Sequence, residues 1–407
     1  MKIRKCRNCK SRKLSYLFSF GKISFTGKFP ENKIENVKKA PLELVMCVNC
    51  KLVQLKHDYS LKYLYGPNYG YRTGINKTMT DHVRKVTKKL IKKVNLKKSD
   101  QVLDIASNDA TLLNCYPKMY STFGIDPLIN RYKKNYKSIN FKISDFFSRT
   151  KIIKKTKKKF KIISALSVFY DLKDPNKFMS DIEKMLEPNG IALIEFADLA
   201  SLIKLNMFDT ICHEHITYYS SKVISQIAKK NKLRIFDIKF NNINGGSAQY
   251  YICKKNSKYK NNITMLSKVV RFEKKLKLEN IETFKKFFLG IKKIKNKIKT
   301  FIIKSKLKNK YIHGYGASTK GNVLLQYFNI NKNHIDYIAD RNPKKFGCYT
   351  PGSKIPIISE KKSRRLRPDF YLVLPWHFKK EILEKEKKII IKGSKFIFPL
   401  PTFKIYR

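Results

Sequence analysis

Acidic residues and arginine are both scarce in this sequence of 407 residues. Asp and Glu number 30 against 89 Lys and Arg, and only 14 of those 89 are arginine, so the net charge of +59 rests on lysine. Arginine, not lysine, is the preferred residue for bidentate recognition of phosphate and guanine. The lysines are spread over the whole chain among many Ile and Asn, which indicates a bias of composition. We therefore expect polyanionic ligands such as nucleotides to be attracted, but nucleic acid is not the expected partner.

Long apolar segments are missing as well. No run approaches the ~18–20 apolar residues that a membrane-spanning helix needs. The basic stretch Met1–Cys6 is not followed by the apolar core of a secretory signal. We therefore expect a cytoplasmic protein with no membrane partner. In that reducing compartment the eight cysteines are expected to be metal ligands or free thiols and not disulfides.

Four of the cysteines form two identical CxxC pairs, Cys6 with Cys9 and Cys47 with Cys50. Thiolates are soft ligands that suit tetrahedral zinc, and two such turns close a four-sulfur site with no open position. A lone pair would suit a redox dithiol, but two pairs favour a structural zinc. The 37 residues between the pairs contain several phenylalanines. They predict a small β-rich module whose own core is too small to be stable without the metal.

A strand–loop–helix–strand pattern begins near residue 98. The apolar strand Gln101–Ile105 leads into a turn of small residues that we expect to open a helix within Ala106–Leu113, and a second strand ends at Asp126. This order is typical of the first βαβ unit of a doubly wound fold. The other elements predicted for this domain are the strands Lys161–Val168 and Gly190–Glu195 and the helix Phe178–Leu186.

The loop after the first strand is acidic and lacks both the dinucleotide fingerprint G-x-G-x-x-G and the P-loop sequence. Acidic side chains repel a pyrophosphate but suit the sulfonium and ammonium of S-adenosylmethionine, and an acid after the second strand suits ribose hydroxyls. The alternative is that these acids only cap the ends of strands. The residues predicted to bind the cofactor are Asp104, Ala106, Asn108, Asp109, Asp126, Asp145 and Phe146.

The last third of the chain repeats the strand–loop–helix order with different chemistry. A lysine-rich stretch from Lys254 to about Lys310 has apolar residues at helical spacing, which predicts an amphipathic helical segment with a solvated face. It leads into the loop Gly314–Asn322, which is basic and suits the phosphates of a nucleotide diphosphate at a helix N-terminus. The alternative is a duplicated domain with only a structural role. The residues predicted to bind this ligand are Tyr315, Ser318, Lys320, Asn322 and Arg341.

Five segments resemble the sugar C-methyltransferases, which methylate nucleotide-linked 4-keto-6-deoxysugars. They are Tyr69–Asn76, Leu103–Leu113, Asp209–Tyr219, Asn244–Ser247 and Gly314–Asn322. The resemblance covers nearly the whole chain and implies a zinc-binding module (1–75), a methyl-donor domain (76–253) and a helical linker with a nucleotide-sugar domain (254–407). We therefore expect an α/β fold of two Rossmann-like doubly wound domains preceded by a small zinc-binding module, as a monomer or weak dimer.

The resemblance also implies a mechanism. A base removes the proton next to the sugar ketone, and the resulting enolate attacks the methyl group of the sulfonium. His215 matches the proposed base and Glu214 stands beside it to assist. His213, Tyr71 and Tyr170 are candidates to donate a hydrogen bond to the enolate oxygen. The alternative for the His-Glu-His run is a surface turn whose histidines are satisfied locally.

Four positions depart from the pattern of that family. Ala110 stands where glycine is usual, and its methyl group is tolerated only if the backbone there is not left-handed. Tyr170 replaces a histidine, Cys212 a tyrosine and Gln249 a basic residue, all near the expected sugar pocket. The particular sugar and the methylated carbon therefore stay open.

Three other functions also stay open on the sequence. The first is an O- or N-methyltransferase acting on a similar nucleotide sugar. The second is an RNA-binding or RNA-modifying methyltransferase, which the positive charge would suit, although no RNA-reading aromatic motif is recognisable. The third is a sugar-binding scaffold without catalysis.

Overall fold

The computed structural model describes residues 1–65 and 70–407, so Tyr69, the first residue of the Tyr69–Asn76 segment, lies outside the described residues. The strands form three sheets of four, seven and six strands. Three strands of the first sheet come from the N-terminal module, and the fourth comes from the middle of the chain. This antiparallel sheet has the order β1 (Leu14–Ser24), β2 (Lys39–Cys47), β3 (Val53–Leu55) and β9 (Thr217–Tyr218).

The seven-stranded sheet forms the middle of the molecule. Six of its strands run in the same direction, and the strand Ser247–Lys254 is antiparallel to both of its neighbours. The parallel strands are apolar along most of their length because both faces of the sheet are covered. The order of all seven strands in this sheet is β10 (Leu233–Asn241), β11 (Ser247–Lys254), β8 (Leu186–Phe196), β7 (Phe160–Leu166), β4 (Gln101–Ile105), β5 (Ser121–Ile125) and β6 (Phe141–Ile143).

The six-stranded sheet belongs to the C-terminal third. It is parallel except for its last strand. The two larger sheets and the cysteine-containing module confirm the predicted α/β class. The order of the third sheet is β14 (Ile357–Ser359), β13 (Tyr337–Asp340), β12 (Ile312–Tyr315), β15 (Phe370–Val373), β16 (Lys395–Phe398) and β17 (Lys404–Tyr406).

Twelve α-helices are assigned in the described residues, and none of them combines the length and apolar character needed to cross a bilayer. They are α1 (Leu61–Leu64), α2 (Lys77–Val94), α3 (Arg149–Ile153), α4 (Pro175–Met185), α5 (Leu199–Lys204), α6 (Ser221–Lys230), α7 (Ile263–Lys275), α8 (Ile281–Leu307), α9 (Thr319–Tyr327), α10 (Glu360–Arg365), α11 (Lys379–Lys385) and α12 (Lys387–Ile391).

The lysine-rich stretch folds as predicted into amphipathic helices, α7 and α8. Helix α8 buries apolar residues three or four positions apart, such as Phe284, Phe287 and Ile291. The same face packs against the first sheet, where Phe18 stacks on Phe288 with ring centroids 4.8 Å apart. The N-terminal module therefore shares its core with the C-terminal third, which the sequence did not indicate.

The helix predicted after β4 is not formed. The segment consists of turns followed by a short 3-10 helix at Leu113–Cys115. Ala106, Asn108 and Ala110 all have positive φ, at 59°, 50° and 61°, and a right-handed helix cannot pass through such residues. Ala110 therefore does adopt the left-handed conformation in which a side chain is strained, at a cost on the order of 1 kcal/mol.

The four cysteines of the CxxC pairs come together at one end of the first sheet. Their sulfur atoms all lie within 4.8 Å of one another, with Cys6 Sγ 3.6 Å from Cys50 Sγ and Cys9 Sγ 3.5 Å from Cys47 Sγ. No disulfide joins them. Four converging thiols without another kind of ligand fit a tetrahedral zinc ion in a closed site.

Replacing one ligand should remove the metal and loosen the module. We expect Cys47→Ser to lower the zinc content from one ion per chain to nearly none and to destabilise the protein by about 4 kcal/mol or more. Cys115→Ser, which alters a half-buried thiol outside the cluster, is the matched control. Metal analysis and thermal unfolding measure both effects, and full zinc content in Cys47→Ser would contradict the assignment.

Candidate active site

A cavity of about 410 Å³ lies where strands of both parallel sheets end. Ala106 follows β4 and Asp126 follows β5 in the seven-stranded sheet, whereas Gly316 follows β12 in the six-stranded sheet. Phe29 of the N-terminal module also lines the cavity. Ligands of doubly wound folds bind outside the carboxyl ends of the strands. A ligand that fills this cavity therefore contacts all three parts of the chain.

Two buried carboxyl groups stand at the end of the cavity formed by the seven-stranded sheet. Asp126 accepts hydrogen bonds from the backbone N–H groups of Asn108 (2.9 Å) and Leu128 (2.7 Å). Asp104 accepts one from Ser164 Oγ at 2.6 Å. Burial raises the pKa of Asp104 to about 7 and that of Asp126 to about 6. Both residues line the cavity, as do the predicted cofactor residues Ala106, Asn108 and Phe146.

The other two predicted cofactor residues do not line the cavity. Asp145 lies at the surface in an ion pair with Lys151. Asp109 is buried and accepts hydrogen bonds from Arg72 Nε (2.9 Å) and from the backbone N–H of Gly74 (3.0 Å). Asp109 thus holds the segment that follows the N-terminal module against the loop after β4, and Arg72 lines the cavity as a result.

His215 lies at the middle of the cavity lining, after a short 3-10 turn. Its Nδ1 is 2.8 Å from the carbonyl oxygen of Thr210. A carbonyl oxygen only accepts, so Nδ1 carries the proton and Nε2 keeps its lone pair. Burial, assisted by the charge of Lys320, lowers the pKa of His215 to about 3. The ring is therefore a neutral imidazole at physiological pH, with one nitrogen able to accept a proton.

Two aromatic residues predicted near the base share the cavity lining with it. The ring centroid of Tyr170 is 4.0 Å from that of His215. Tyr71 also lines the cavity, and burial raises its pKa to about 12. Both phenols are therefore protonated at neutral pH and able to donate a hydrogen bond.

Two buried acids complete this part of the cavity. Glu214 Oε2 accepts from Thr26 Oγ1 at 3.2 Å, and Asp171 Oδ2 accepts from Tyr65 Oη at 2.7 Å. The second oxygen of each acid has no hydrogen-bond partner among the described residues. Burial raises the pKa of both. Asp171 was missed in the sequence because only its neighbour Tyr170 was singled out.

His213 does not reach the cavity. Its ring is fully buried against the rings of Phe25 and Tyr59, with centroids 4.6 and 4.8 Å away. Its Nε2 is 3.2 Å from the carbonyl oxygen of Ala40. The side chain of His213 points away from that of His215 and packs this segment onto the N-terminal module. The geometry therefore gives His213 a positioning role and no contact with a ligand in the cavity.

The C-terminal domain contributes the loop after β12. Gly316 turns the chain with φ of 83°, and Ser318 Oγ accepts from the backbone N–H of Gly321 (3.0 Å) to cap helix α9. Tyr315 and Arg341 also line the cavity, together with Ser318. Asn322 does not, because its amide is buried and donates to the carbonyl oxygen of Thr26 at 2.7 Å.

Two contacts join this domain to the region of the base. Lys320 lines the cavity, and its Nζ donates to the carbonyl oxygen of Asn244 at 2.6 Å. Trp376 Nε1 donates to the buried carboxylate of Asp209 at 2.8 Å. His377, the next residue, lines the cavity with a ring nitrogen that has no partner in the described part of the chain. Its position after a strand was the only sequence signal that pointed to it.

Comparison with known proteins gives a three-part organisation. Family models match residues 6–65 as a zinc binding domain, 75–237 as a methyltransferase domain and 242–401 as a C-methyltransferase C-terminal domain. The C-methyltransferase NovU of Streptomyces niveus is 25% identical to this chain over 404 residues, which make up 98% of this chain and 96% of that protein.

Solved structures share only part of the fold. An S-adenosylmethionine-dependent methyltransferase from Clostridium acetobutylicum is 11% identical and covers 43% of this chain and 92% of its own, with a TM-score of 0.35. The magnesium protoporphyrin IX methyltransferase of Synechocystis, with bound S-adenosylhomocysteine, is 13% identical and covers 46% of this chain and 90% of its own, with a TM-score of 0.34.

The zinc-binding match coincides with the four converging cysteines, which are therefore a structural zinc site. The methyltransferase match contains the five neighbouring parallel strands β4 to β8 of the seven-stranded sheet and the acidic end of the cavity. The chain is therefore an S-adenosylmethionine-dependent methyltransferase, and its last third matches the C-terminal domain of C-methyltransferases.

Proposed function

We propose that this enzyme methylates a carbon atom next to the keto group of a nucleotide-linked 4-keto-6-deoxysugar. The observation that carries the proposal is the shared cavity. A neutral imidazole, the acidic end of the seven-stranded sheet and the loop after β12 all line the same space. Base, methyl donor and activated sugar can therefore meet there without a change in the fold.

S-adenosylmethionine binds at the acidic end of the cavity in this account. Asp126 faces the ribose hydroxyls, Phe146 lies beside the adenine, and Asp104 with Asn108 lines the path of the methionine part. The sulfonium supplies an electrophilic methyl group. Asp109 acts behind this site, because it holds the segment that carries Arg72 against the cofactor loop.

His215 removes the proton next to the ketone. Nε2 accepts the proton, the C–H electron pair becomes part of an enolate, and the enolate carbon then attacks the methyl group. The new C–C bond forms as the C–S bond breaks, S-adenosylhomocysteine leaves as a neutral thioether, and the imidazolium returns its proton to water. Glu214 and the phenols of Tyr71 and Tyr170 surround the sugar and orient it.

The nucleotide half of the substrate occupies the C-terminal side. The free backbone N–H groups at the start of α9 and the side chains of Tyr315, Ser318 and Arg341 line that side. None of the eight cysteines forms a disulfide, and four of them converge as zinc ligands, which suits the reducing cytoplasm that we propose as the compartment.

The carboxylate of Asp126 should matter for cofactor affinity, whereas that of Asp145 should not. Asp126→Asn keeps one acceptor oxygen and places its amide NH2 against one of the two backbone N–H donors, and we expect it to weaken S-adenosylhomocysteine binding ~10–100-fold. Asp145→Asn, at the surface, serves as the control and should leave the affinity unchanged. Isothermal titration calorimetry measures both, and an equal loss in the two variants would contradict the cofactor position.

Loss of the base should abolish proton exchange. With S-adenosylhomocysteine in place of the donor and a nucleotide 4-ketosugar in heavy water, we expect His215→Ala to slow loss of the α-proton ~10²–10⁴-fold. His334→Ala, outside the cavity lining, is the matched control. Exchange is followed by NMR, and a His215→Ala rate equal to that of the wild type would show that another group is the base.

The rate of α-proton exchange should fall only at a lower pH than it would with an ordinary histidine as the base. Because burial and Lys320 lower the pKa of His215 to about 3, the imidazole stays neutral well below the usual pKa of 6.5. With S-adenosylhomocysteine saturating at every pH, so that titration of Asp104 and Asp126 does not limit cofactor binding, we expect the rate of α-proton exchange to be level from about pH 8 to about pH 5. A fall centred near pH 6.5 would mean that the base is an exposed, ordinary histidine.

A further inference from the structure

Lys320 comes from the C-terminal domain, but its charged end is bound by the middle domain. It stands in the first turn of α9, and its Nζ donates to the carbonyl oxygen of Asn244 at 2.6 Å. Asn244 belongs to the turn Ile243–Gly245 between β10 and β11 and has φ of 54°. The lysine therefore reaches across the cavity from the loop after β12 toward the residues around His215.

The ammonium group of Lys320 is not neutralised by a direct ion pair. In the part of the chain that the structure describes, no carboxylate lies within 4.0 Å of its Nζ, and an ammonium has three protons to donate while Asn244 accepts one. Its charge acts on three titratable groups, of which His215 and His377 line the cavity. It opposes the rise that burial causes in the pKa of Asp209, and it lowers the pKa of His215 and His377.

The charge of Lys320 disfavours protonation of His215 until negative charge forms between the two groups. After His215 accepts a proton, two positive groups face the same part of the cavity. An enolate oxygen in that space is attracted by both, whereas the neutral ketone before it gains little. A group that interacts more strongly with the intermediate than with the substrate accelerates the reaction.

We propose that Lys320 is a catalytic residue that donates a hydrogen bond to the keto oxygen and balances its charge in the enolate. The inference rests on the proposed C-methylation. Burial lowers the pKa of the Lys320 ammonium, and the charge of Asp209 opposes that shift. In this account the lysine transfers no proton: negative charge appears on the oxygen when His215 takes the α-proton, and it disappears when the new C–C bond restores the carbonyl group. The C-terminal domain thereby contributes to the chemical step as well as to binding.

This role differs from the phosphate-binding role that the sequence suggests for Lys320. The loop Gly314–Asn322 and the start of α9 offer backbone N–H groups to a diphosphate, and these do not need the lysine side chain. The Nζ atom is held by Asn244 of the middle domain, and its other two protons stay available to an oxygen on that side of the cavity. The two roles predict different consequences when the charge is removed.

The test compares Lys320→Met and Lys320→Gln with Lys344→Met, which removes the same charge from an exposed lysine of the same domain. We expect both Lys320 variants to bind S-adenosylhomocysteine and thymidine or uridine diphosphate within about twofold of wild type. At saturating nucleotide 4-ketosugar their α-proton exchange should be ~10²–10³-fold slower. The acid limb of their residual exchange should move to higher pH, because the cation no longer lowers the pKa of His215.

Each other outcome overturns the proposal. If the Lys320 variants exchange the α-proton at the wild-type rate once saturated, but bind the nucleoside diphosphates at least tenfold more weakly, the lysine holds phosphate. If they lose S-adenosylhomocysteine binding and melt early, its role is structural. If wild-type enzyme exchanges no α-proton with any 4-ketosugar while it binds S-adenosylhomocysteine, the proposed function fails and the role of Lys320 fails with it.

Discussion

The pairing of the two-residue strand β9 with β3 determines the position of His215, the proposed base. Thr217 pairs with Gln54 of the zinc-binding module, so the chain just after His215 is part of that module's sheet. At the other end of the same segment, Asp209 accepts a hydrogen bond from Trp376 of the C-terminal domain. Because both ends are held by other parts of the chain, the position of the base depends on the zinc site and on the docking of the C-terminal domain.

This arrangement places His215 in a cavity lined by buried acids and by Lys320, inside a chain of net charge +59. Burial keeps His215 neutral and favours the protonated forms of Asp171 and Glu214. In such surroundings a single cation has a larger effect than at the solvated surface. Lys320 is the cavity cation whose charge acts on His215, whereas the many surface lysines are screened by water and salt.

The sequence predicted those features that depend on neighbouring residues. Ligand spacing revealed the CxxC pairs, and a short apolar run revealed the strand Gln101–Ile105. Long-range packing could not be predicted in the same way. The position of His213 beside His215 in the sequence suggests a functional residue. In the structure its ring packs against Phe25, which is distant from it in the sequence. The missing helix after Ile105 depends on left-handed residues such as Ala110, whose conformation a sequence pattern does not show.

The most direct test of the account is the structure of the product. The enzyme is incubated with S-adenosylmethionine labelled with ¹³C in its methyl group and with a nucleotide-linked 4-keto-6-deoxysugar, and the product is analysed by NMR. The account predicts that the labelled methyl carbon correlates with a ring carbon next to the keto group and that this carbon has lost its proton. A label on oxygen or nitrogen, with that α-proton still in place, would contradict C-methylation through an enolate.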